Sequence, residues 1–216
     1  MRFENVKVYD LEESIIASGY PMRTELVDTE VDEKAIKRCM HLTKASNGNG
    51  AHGQWMTGVR VAFDLTCTNK MWVEAERYRF LEFVSSQSTM HRITKFKIRD
   101  QYNEYVDPRV IDIMEEKVAA YNKLVENKPS SDAAVELLED YAKMLKEKYL
   151  EILYTNPAGF ELTARMTTNY RCLLNIYVQR HNHRLPEWRE FCRELLKLPY
   201  FQELVDAYYA GKVVAD

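Results

Sequence analysis

Two stretches of the sequence concentrate residue types that recognise phosphates and planar rings. Residues 76–92 read ERYRFLEFVSSQSTMHR and residues 167–184 read TTNYRCLLNIYVQRHNHR; both are rich in Arg, Asn, Gln, Ser and His but contain no Lys. Solvated surfaces normally carry Glu and Lys, whereas guanidiniums and carboxamides can bind phosphates and heterocycle edges with two hydrogen bonds at once. The two stretches therefore predict a site for a planar, phosphorylated ligand.

The second stretch is predicted to be a helix, because it lacks Pro and Gly and spaces its apolar residues at helical intervals. At about 100° per residue, Arg171, Asn175 and Gln179 share one face, and Asn169 and Arg180 lie at its edge. No carboxylate on this face neutralises the arginines. A solvated surface helix is the alternative, since Arg is also common on surfaces.

The first stretch lies between two patterns of different period. Residues 71–83 have the spacing of a helix, and the polar run SSQSTMHR that follows predicts a loop, because Ser and Gln compete for backbone hydrogen bonds. Residues 92–100 then alternate, with Lys95, Lys97 and Arg99 on one side, which predicts an edge strand with a solvated basic face.

The rest of the chain predicts an α+β fold, in which several helices cover a small antiparallel sheet. Its best strand signal is 58–66, where Val59, Val61, Phe63 and Leu65 alternate with more polar residues. Further strands are expected at 5–9 and 160–166, and helices at 11–18, 32–45, 108–127, 187–196 and 200–210. Another helix runs to residue 154 from a cap at Ser131 or Asp132. No linker is visible, so residues 1–216 are predicted to form one domain.

Composition excludes several classes of protein. The net charge of −3 disfavours binding to nucleic acid polymers, and no apolar run reaches the ~20 residues that span a membrane. The N-terminal residues MRFENVKVYD lack the apolar core of a signal peptide, so a cytoplasmic location is expected. The four cysteines form no CxxC pair, which argues against zinc and against disulfides. Cys172 could be a thiolate nucleophile, but a buried structural role is favoured.

The two polar stretches resemble the signature of the flavin-dependent thymidylate synthase family. The family's second motif is matched without a gap by Asn169, Arg171, Leu173, Asn175 and Arg180. The first motif begins with Arg-His-Arg, to which the tripeptide at 77–79 is similar with Tyr in place of His. It continues at Ser85, Gln87, Ser88 and Arg92. A third, weaker similarity places His52 in a His-bearing loop that leads into a strand.

This resemblance implies reductive methylation of dUMP at uracil C5 to give dTMP, by a methyltransferase that uses FAD, NADPH and methylenetetrahydrofolate. Arg180 would be the catalytic residue, stabilising negative charge on a uracil carbonyl oxygen. Substrate contacts would come from Ser85, Gln87, Ser88, Arg92 and Arg180. Flavin contacts would come from His52, Arg77, Arg79, Asn169, Arg171, Asn175 and His183.

Two other functions stay open on the sequence alone. The enzyme could methylate or hydroxymethylate another uridine nucleotide, since a pocket of the same polarity would serve. Alternatively, Tyr78 in place of His could leave a protein that binds flavin or nucleotide without turnover. The resemblance further implies a homotetramer with sites between subunits, for which residues 154–160 and 200–209 are the predicted contact surfaces.

Overall fold

The computed structural model describes residues 1–25, 30–46 and 51–212. Within these ranges the strands are β1 (Arg2–Tyr9), β2 (Arg60–Thr68), β3 (Glu82–Ser86) and β4 (Glu161–Asn169). The α-helices are α1 (Leu11–Ala17), α2 (Glu33–Ser46), α3 (Trp55–Gly58), α4 (Asn69–Ala75), α5 (Thr89–Arg92), α6 (Pro108–Glu126), α7 (Val135–Thr155), α8 (Tyr170–Arg180), α9 (Pro186–Leu195) and α10 (Phe201–Lys212). The strands form one small antiparallel sheet in the order β1-β2-β4-β3, which confirms the predicted α+β fold.

The sheet is built from the alternating segments that the sequence predicts as strands. In β2, Val61, Phe63 and Leu65 are fully or almost fully buried, while the residues between them are partly exposed. β1 pairs antiparallel with β2 and brings Phe3 opposite Leu65. The Phe3 ring lies 4.7 Å from the ring of Phe63 and 5.5 Å from that of Phe191, measured between centroids. This aromatic cluster fastens α9 to the sheet.

The contacts of the chain group into two compact units. The first comprises Met1–Thr66, Val73–Ser85 and Ala164–Asp216, and the second comprises Cys67–Trp72 and Ser86–Thr163. In the first unit α10 packs on α2, and α8 packs on α3 and α9. The core of the second unit consists of Ile93, Ile98, Met114, Val118, Ile152, Phe160 and Leu162. That residues 1–216 form one domain stays a prediction.

The prediction of a continuous helix over residues 71–83 was wrong beyond Ala75. α4 ends there, and the chain turns before it enters β3. Tyr78 N donates to Ala75 O and Leu81 N donates to Tyr78 O, each at a spacing of three residues. Both side chains are buried by this turn, so apolar burial rather than helical propensity fixes its shape.

The predicted strand over residues 92–100 is two 3-10 turns, Ile93–Lys95 and Ile98–Gln101. The predicted distribution of burial holds, since Thr94 and Ile98 are buried while Lys95 and Lys97 are exposed. Burying Ile93 as well as Thr94 in the second unit is incompatible with strict alternation, which explains the different backbone.

One smaller prediction was also wrong. The N-cap of α7 is Ala134, whose methyl side chain cannot accept a hydrogen bond, so neither Ser131 nor Asp132 caps the helix. The subunit contacts predicted at 154–160 and 200–209 stay a prediction: Phe160, Phe201 and Tyr208 are buried within the chain, whereas Tyr154 is 87% exposed. The predicted cap of α2 is confirmed, because Asp32 Oδ1 accepts a 2.7 Å hydrogen bond from Ala35 N.

Two features are absent from the part of the chain that the structure describes. None of its helices combines the length and apolar character needed to cross a membrane. It also contains no group of three or more His, Cys, Asp or Glu side chains placed to hold a metal ion.

A polar cluster holds an irregularity at the edge of the sheet. The register of β1 shifts between Glu4 and Lys7, and Asn5 adopts a left-handed φ of 50°, which Asn tolerates better than most residues. Asn5 Nδ2 donates to Asp64 Oδ2 at 2.6 Å, and Arg165 Nη1 donates to Asn5 O and to Asp64 Oδ1. The hydrogen bond from Asn5 and the neighbouring Arg165 lower the pKa of Asp64.

Asp64→Asn should make stability less dependent on pH. Because the folded-state pKa of Asp64 is lowered, its contribution is present above about pH 4 and is lost as the pH falls through the folded value. Urea unfolding at several pH values should show that acid reduces the free energy of unfolding less in Asp64→Asn than in the wild-type protein. If the free energy of unfolding fell equally with acid in both proteins, Asp64 would not be a source of the pH dependence.

Candidate functional site

A cavity of about 690 Å³ opens on the first unit beside the beginning of α8. Its volume lies within the range typical of sites for cofactors and other small ligands. Three parts of the chain form its walls: Gln54 and Thr57 from the segment before β2, residues 77–80 from the turn after α4, and residues of β4 and α8.

The turn after α4 presents two arginines to the cavity. Tyr78 is 9% exposed, whereas its neighbours Arg77 and Arg79 are exposed. The buried ring between them anchors the turn, so the guanidiniums are attached to a fixed backbone. Phe80 is 55% exposed and also lines the cavity, and the Arg79 guanidinium lies 5.5 Å from its ring centre. An aromatic face and a cation are therefore adjacent on this wall.

The opposite wall begins where β4 passes directly into α8. Asn169 has extended backbone angles and caps the helix, its Oδ1 accepting a 2.9 Å hydrogen bond from Cys172 N. The helix thus starts at Tyr170, later than the predicted residue 167, because Thr167 and Thr168 belong to the alternating pattern of β4. The predicted polar face is confirmed: Arg171, Asn175 and Gln179 line the cavity on successive turns.

The chemistry of the lining favours an anionic or carbonyl-bearing ligand. Arg77, Arg79 and Arg171 bring three guanidiniums to the cavity, and none of its described lining residues is acidic. Within the described residues Arg77 and Arg79 form no ion pair. Guanidiniums hold phosphates with two hydrogen bonds, and carboxamides match the donor and acceptor pattern of a heterocycle edge.

A hydrogen-bonded network connects three of the lining residues, Tyr78, Asn175 and Gln179, to Arg180. Arg180 Nε donates to the Tyr78 hydroxyl at 2.7 Å, and that hydroxyl donates to Gln179 Oε1 at 3.0 Å. Gln179 Nε2 in turn donates to Asn175 Oδ1 at 3.0 Å. Burial raises the pKa of the Tyr78 phenol, so it keeps its proton at neutral pH. The network connects the interior of the unit to the cavity.

Glu74 fixes the inner end of the network. Its Oε2 accepts hydrogen bonds of 3.0 Å from both Arg180 Nη1 and Trp188 Nε1, and it lies 3.5 Å from His183 Nε2. The Arg180 guanidinium also lies 5.1 Å from the Trp188 ring centre. The Arg180 and Glu74 side chains are only 20% and 21% exposed, so this ion pair is shielded from water.

Five of the seven residues predicted to bind the cofactor meet at the cavity: Arg77, Arg79, Asn169, Arg171 and Asn175. His52 lines a neighbouring cavity of about 450 Å³, which shares Gln54 and Thr57 with the first. His183 contacts Arg180, with 2.7 Å between Nε2 and Nη1. Arg180 is not among the described residues that line the cavity, and its catalytic role stays a prediction.

The residues predicted to bind substrate lie elsewhere in the chain. Ser85 is exposed on β3, while Ser88 and Arg92 belong to the second unit. Gln87 extends the sheet, because its backbone N donates to Thr163 O and its Oε1 accepts from Thr163 N, both at 2.9 Å. No member of this set is among the described lining residues, so their substrate contacts stay predictions.

Sequence reasoning missed Glu74, Gln54 and Thr57. Glu74 is an acidic residue on the partly buried side of α4, and only its placement three residues before an Arg-Tyr-Arg turn could have indicated an interior ion pair. Gln54 and Thr57 lie in the loop that resembles the family's His-bearing loop, but only His52 was matched there. Their approach to the cavity depends on the packing of α3 on α8, which no local pattern predicts.

Comparison of the whole structure with solved structures shows which fold this is. It matches a structure of the flavin-dependent thymidylate synthase ThyX from Helicobacter pylori complexed with FAD and dUMP, with a TM-score of 0.66, 12% identity, and coverage of 95% of this chain and 97% of that chain. It also matches a second structure of that enzyme with FAD and dUMP, with a TM-score of 0.66, 13% identity, and coverage of 96% of this chain and 99% of that chain. The chain therefore has the fold that the motif resemblance implies. No protein-family model and no curated protein matches the sequence.

Arg180→Ala should destabilise the protein, because it leaves the Glu74 carboxylate shielded from water without its guanidinium partner. We expect the free energy of unfolding to fall by about 2 to 3 kcal/mol, with Arg180→Lys recovering part of the loss. Helical content should not change, since Arg and Ala both favour helices. Denaturant unfolding followed by circular dichroism measures both quantities.

Arg184→Ala is the matched control for this substitution, because Arg184 is exposed and its side chain has no partner among the described residues. It should change the unfolding free energy by less than about 0.5 kcal/mol. Equal effects of the two substitutions would show that the ion pair contributes nothing.

The cysteines should react slowly in the folded protein. All four are buried; burial raises the pKa of Cys39 and Cys172, and raises that of Cys192 to about 12. Reaction with a disulfide reagent at neutral pH should be slow in native protein and should reach all four thiols after unfolding. Rapid modification of Cys172 in native protein would instead support a role as a nucleophile.

Proposed function

We propose that this protein catalyses the FAD-dependent reductive methylation of dUMP at uracil C5, with methylenetetrahydrofolate as carbon donor and NADPH as reductant. The observation that carries the proposal is the cavity itself. It gathers three guanidiniums and four carboxamides without a carboxylate among its described lining residues, in a fold for which two matching solved structures hold FAD and dUMP. The motif residues at 77–79 and 169–175 supply most of these groups.

The residues of the cavity fit the chemistry of a flavin dinucleotide. Arg77, Arg79 and Arg171 match the charge of a pyrophosphate, and the amides of Asn169 and Asn175 match the polar edge of a fused ring. The exposed ring of Phe80 offers a flat apolar surface on the same wall. A bound flavin would supply the hydride for the reduction.

The contribution of the protein to the chemistry would be electrostatic. Addition to the uracil ring places negative charge on a carbonyl oxygen, and N–H donors already directed at that oxygen lower the barrier. We assign this role to Arg180 on the basis of the motif. Ser85, Gln87, Ser88 and Arg92 are assigned to the nucleotide, and His52 and His183 to the flavin, also from the motif.

We further propose that the protein works as a homotetramer in the cytoplasm. The strand β3 supports an assembly, because all five of its residues are exposed, including Val84 at 64% and Phe83 at 39%. An edge strand with exposed apolar side chains is a common surface for association. Residues that the motif assigns to substrate lie on or just after this strand.

A second function is favoured by one specific observation. The Arg180 guanidinium is bound to Glu74, Tyr78 and His183, and Tyr78 occupies the position where the motif has His. An arginine held in this way supports a protein that binds flavin or nucleotide without turnover. Methylation or hydroxymethylation of another uridine nucleotide is equally compatible with the lining of the cavity.

Three measurements separate these functions. The absorption spectrum of purified protein incubated with FAD reports flavin binding, and tritium release from C5-labelled dUMP and UMP, assayed in parallel, reports turnover and the choice of nucleotide. Flavin bands with tritium release support the enzyme, and flavin bands without release support the binding protein. Absence of binding to both FAD and dUMP would overturn both.

Arg79→Ala should lower the affinity for FAD by about 10- to 100-fold, the effect of removing one charge-assisted contact. Arg193→Ala is the matched control, because Arg193 is an exposed arginine on α9 that is not among the described lining residues, and it should leave the affinity unchanged. Titration of flavin fluorescence measures both. If the two variants bound FAD equally well, the cavity would not be the flavin site.

A further inference from the structure

The hydrogen bonds of the network at the cavity wall run in one direction from Arg180 to Asn175. A guanidinium can only donate, so the Tyr78 oxygen must accept from Arg180 Nε over their 2.7 Å separation. The single phenolic proton is then directed to the other neighbour, which is Gln179 Oε1 at 3.0 Å. The identity of the groups, rather than the placement of hydrogens, therefore sets the direction of this step.

The same reasoning determines the orientation of the Gln179 and Asn175 carboxamides. Because Gln179 Oε1 accepts from Tyr78, its Nε2 is the end that faces Asn175, and it donates to Asn175 Oδ1 at 3.0 Å. Asn175 consequently turns its oxygen toward Gln179. Its Nδ2 has no partner among the described residues, and Asn175 lines the cavity.

We propose that this relay holds Asn175 as an N–H donor toward the cavity, and that the site therefore selects ligands with a hydrogen-bond acceptor, such as a ring carbonyl or phosphate oxygen, at that point. Tyr78 and Gln179 are positioning residues that act through Asn175. The inference rests on the proposed function only in requiring that the cavity binds a ligand.

The anchoring of Arg180 gives the relay its rigidity. Glu74 and His183 hold the guanidinium, and the Trp188 ring lies against it. Rotating the Gln179 amide would bring its NH₂ group against the Tyr78 hydroxyl and remove the acceptor of the phenolic proton. An Asn175 that offered its oxygen to the cavity would therefore cost one hydrogen bond of the relay, either the one between Gln179 and Asn175 or the one from Tyr78 to Gln179.

The first test needs no ligand. In ¹⁵N-labelled protein, Tyr78→Phe should shift the side-chain amide resonances of both Gln179 and Asn175, because it removes the group that orients them. Tyr170→Phe is the matched control: it removes the hydroxyl that donates to Pro199 O at 2.8 Å, on the same helix but outside the relay. It should leave both amide resonances in place. If Tyr78→Phe left the two resonances unshifted, the relay would not exist.

The second test measures selection of the ligand, with FAD as probe. Tyr78→Phe and Gln179→Ala should each weaken binding by about three- to tenfold in the wild-type background, the effect of loosening one hydrogen bond. Neither should weaken it further in an Asn175→Ala background, because both residues act through Asn175. Equal losses in the two backgrounds would overturn the proposal and indicate separate contacts or general damage.

The two tests separate this inference from the proposed function. If the wild-type protein binds no FAD, the flavin assignment fails, whereas the amide resonances still decide whether the relay is present. The binding cycle is then repeated with dUMP, whose ring carbonyls and phosphate are also acceptors. A wild-type protein that binds neither probe overturns the selection of acceptor ligands while leaving the relay to the resonance test.

Discussion

The ion pair between Glu74 and Arg180 is the interaction on which the architecture of the site depends. It joins the end of α4 to the end of α8, and Trp188 adds α9 to the same point through its indole N–H. Charges this shielded are stable only when their remaining hydrogen-bonding capacity is filled, and here Tyr78 and His183 fill it. The two walls of the cavity therefore have a common anchor in an ion pair that is not itself part of the described lining.

The lining of the cavity differs from this ion pair in its electrostatics. Glu74 and Arg180 are paired with each other, whereas Arg77 and Arg79 at the cavity form no ion pair among the described residues. Such a division is expected where a protein keeps the free energy of a cation available for binding rather than for folding.

How far the sequence predicts the structure differs from element to element. β2 was predictable because its alternation reflects burial of one face, and the polar face of α8 was predictable because helical periodicity brings Arg171, Asn175 and Gln179 together. The turn at 76–81 was not, since it follows from burying Tyr78 and Leu81, which a helical pattern accommodates equally well. The ion pair of Arg180 was invisible because its partner lies 106 residues away, and residue type alone cannot distinguish a buried guanidinium from one that faces a ligand.

The direct junction between β4 and α8 has a consequence for how this protein can vary. Asn169 is both the last residue of the strand and the cap of the helix, so no loop separates β4 from α8. Removing or adding one residue in β4 would either exchange its two faces or rotate the helix by about 100°, and in both cases the polar face would leave the cavity. Insertions and deletions in β4 are therefore excluded even where substitutions are tolerated, because the register of the sheet determines which face of α8 points to the cavity.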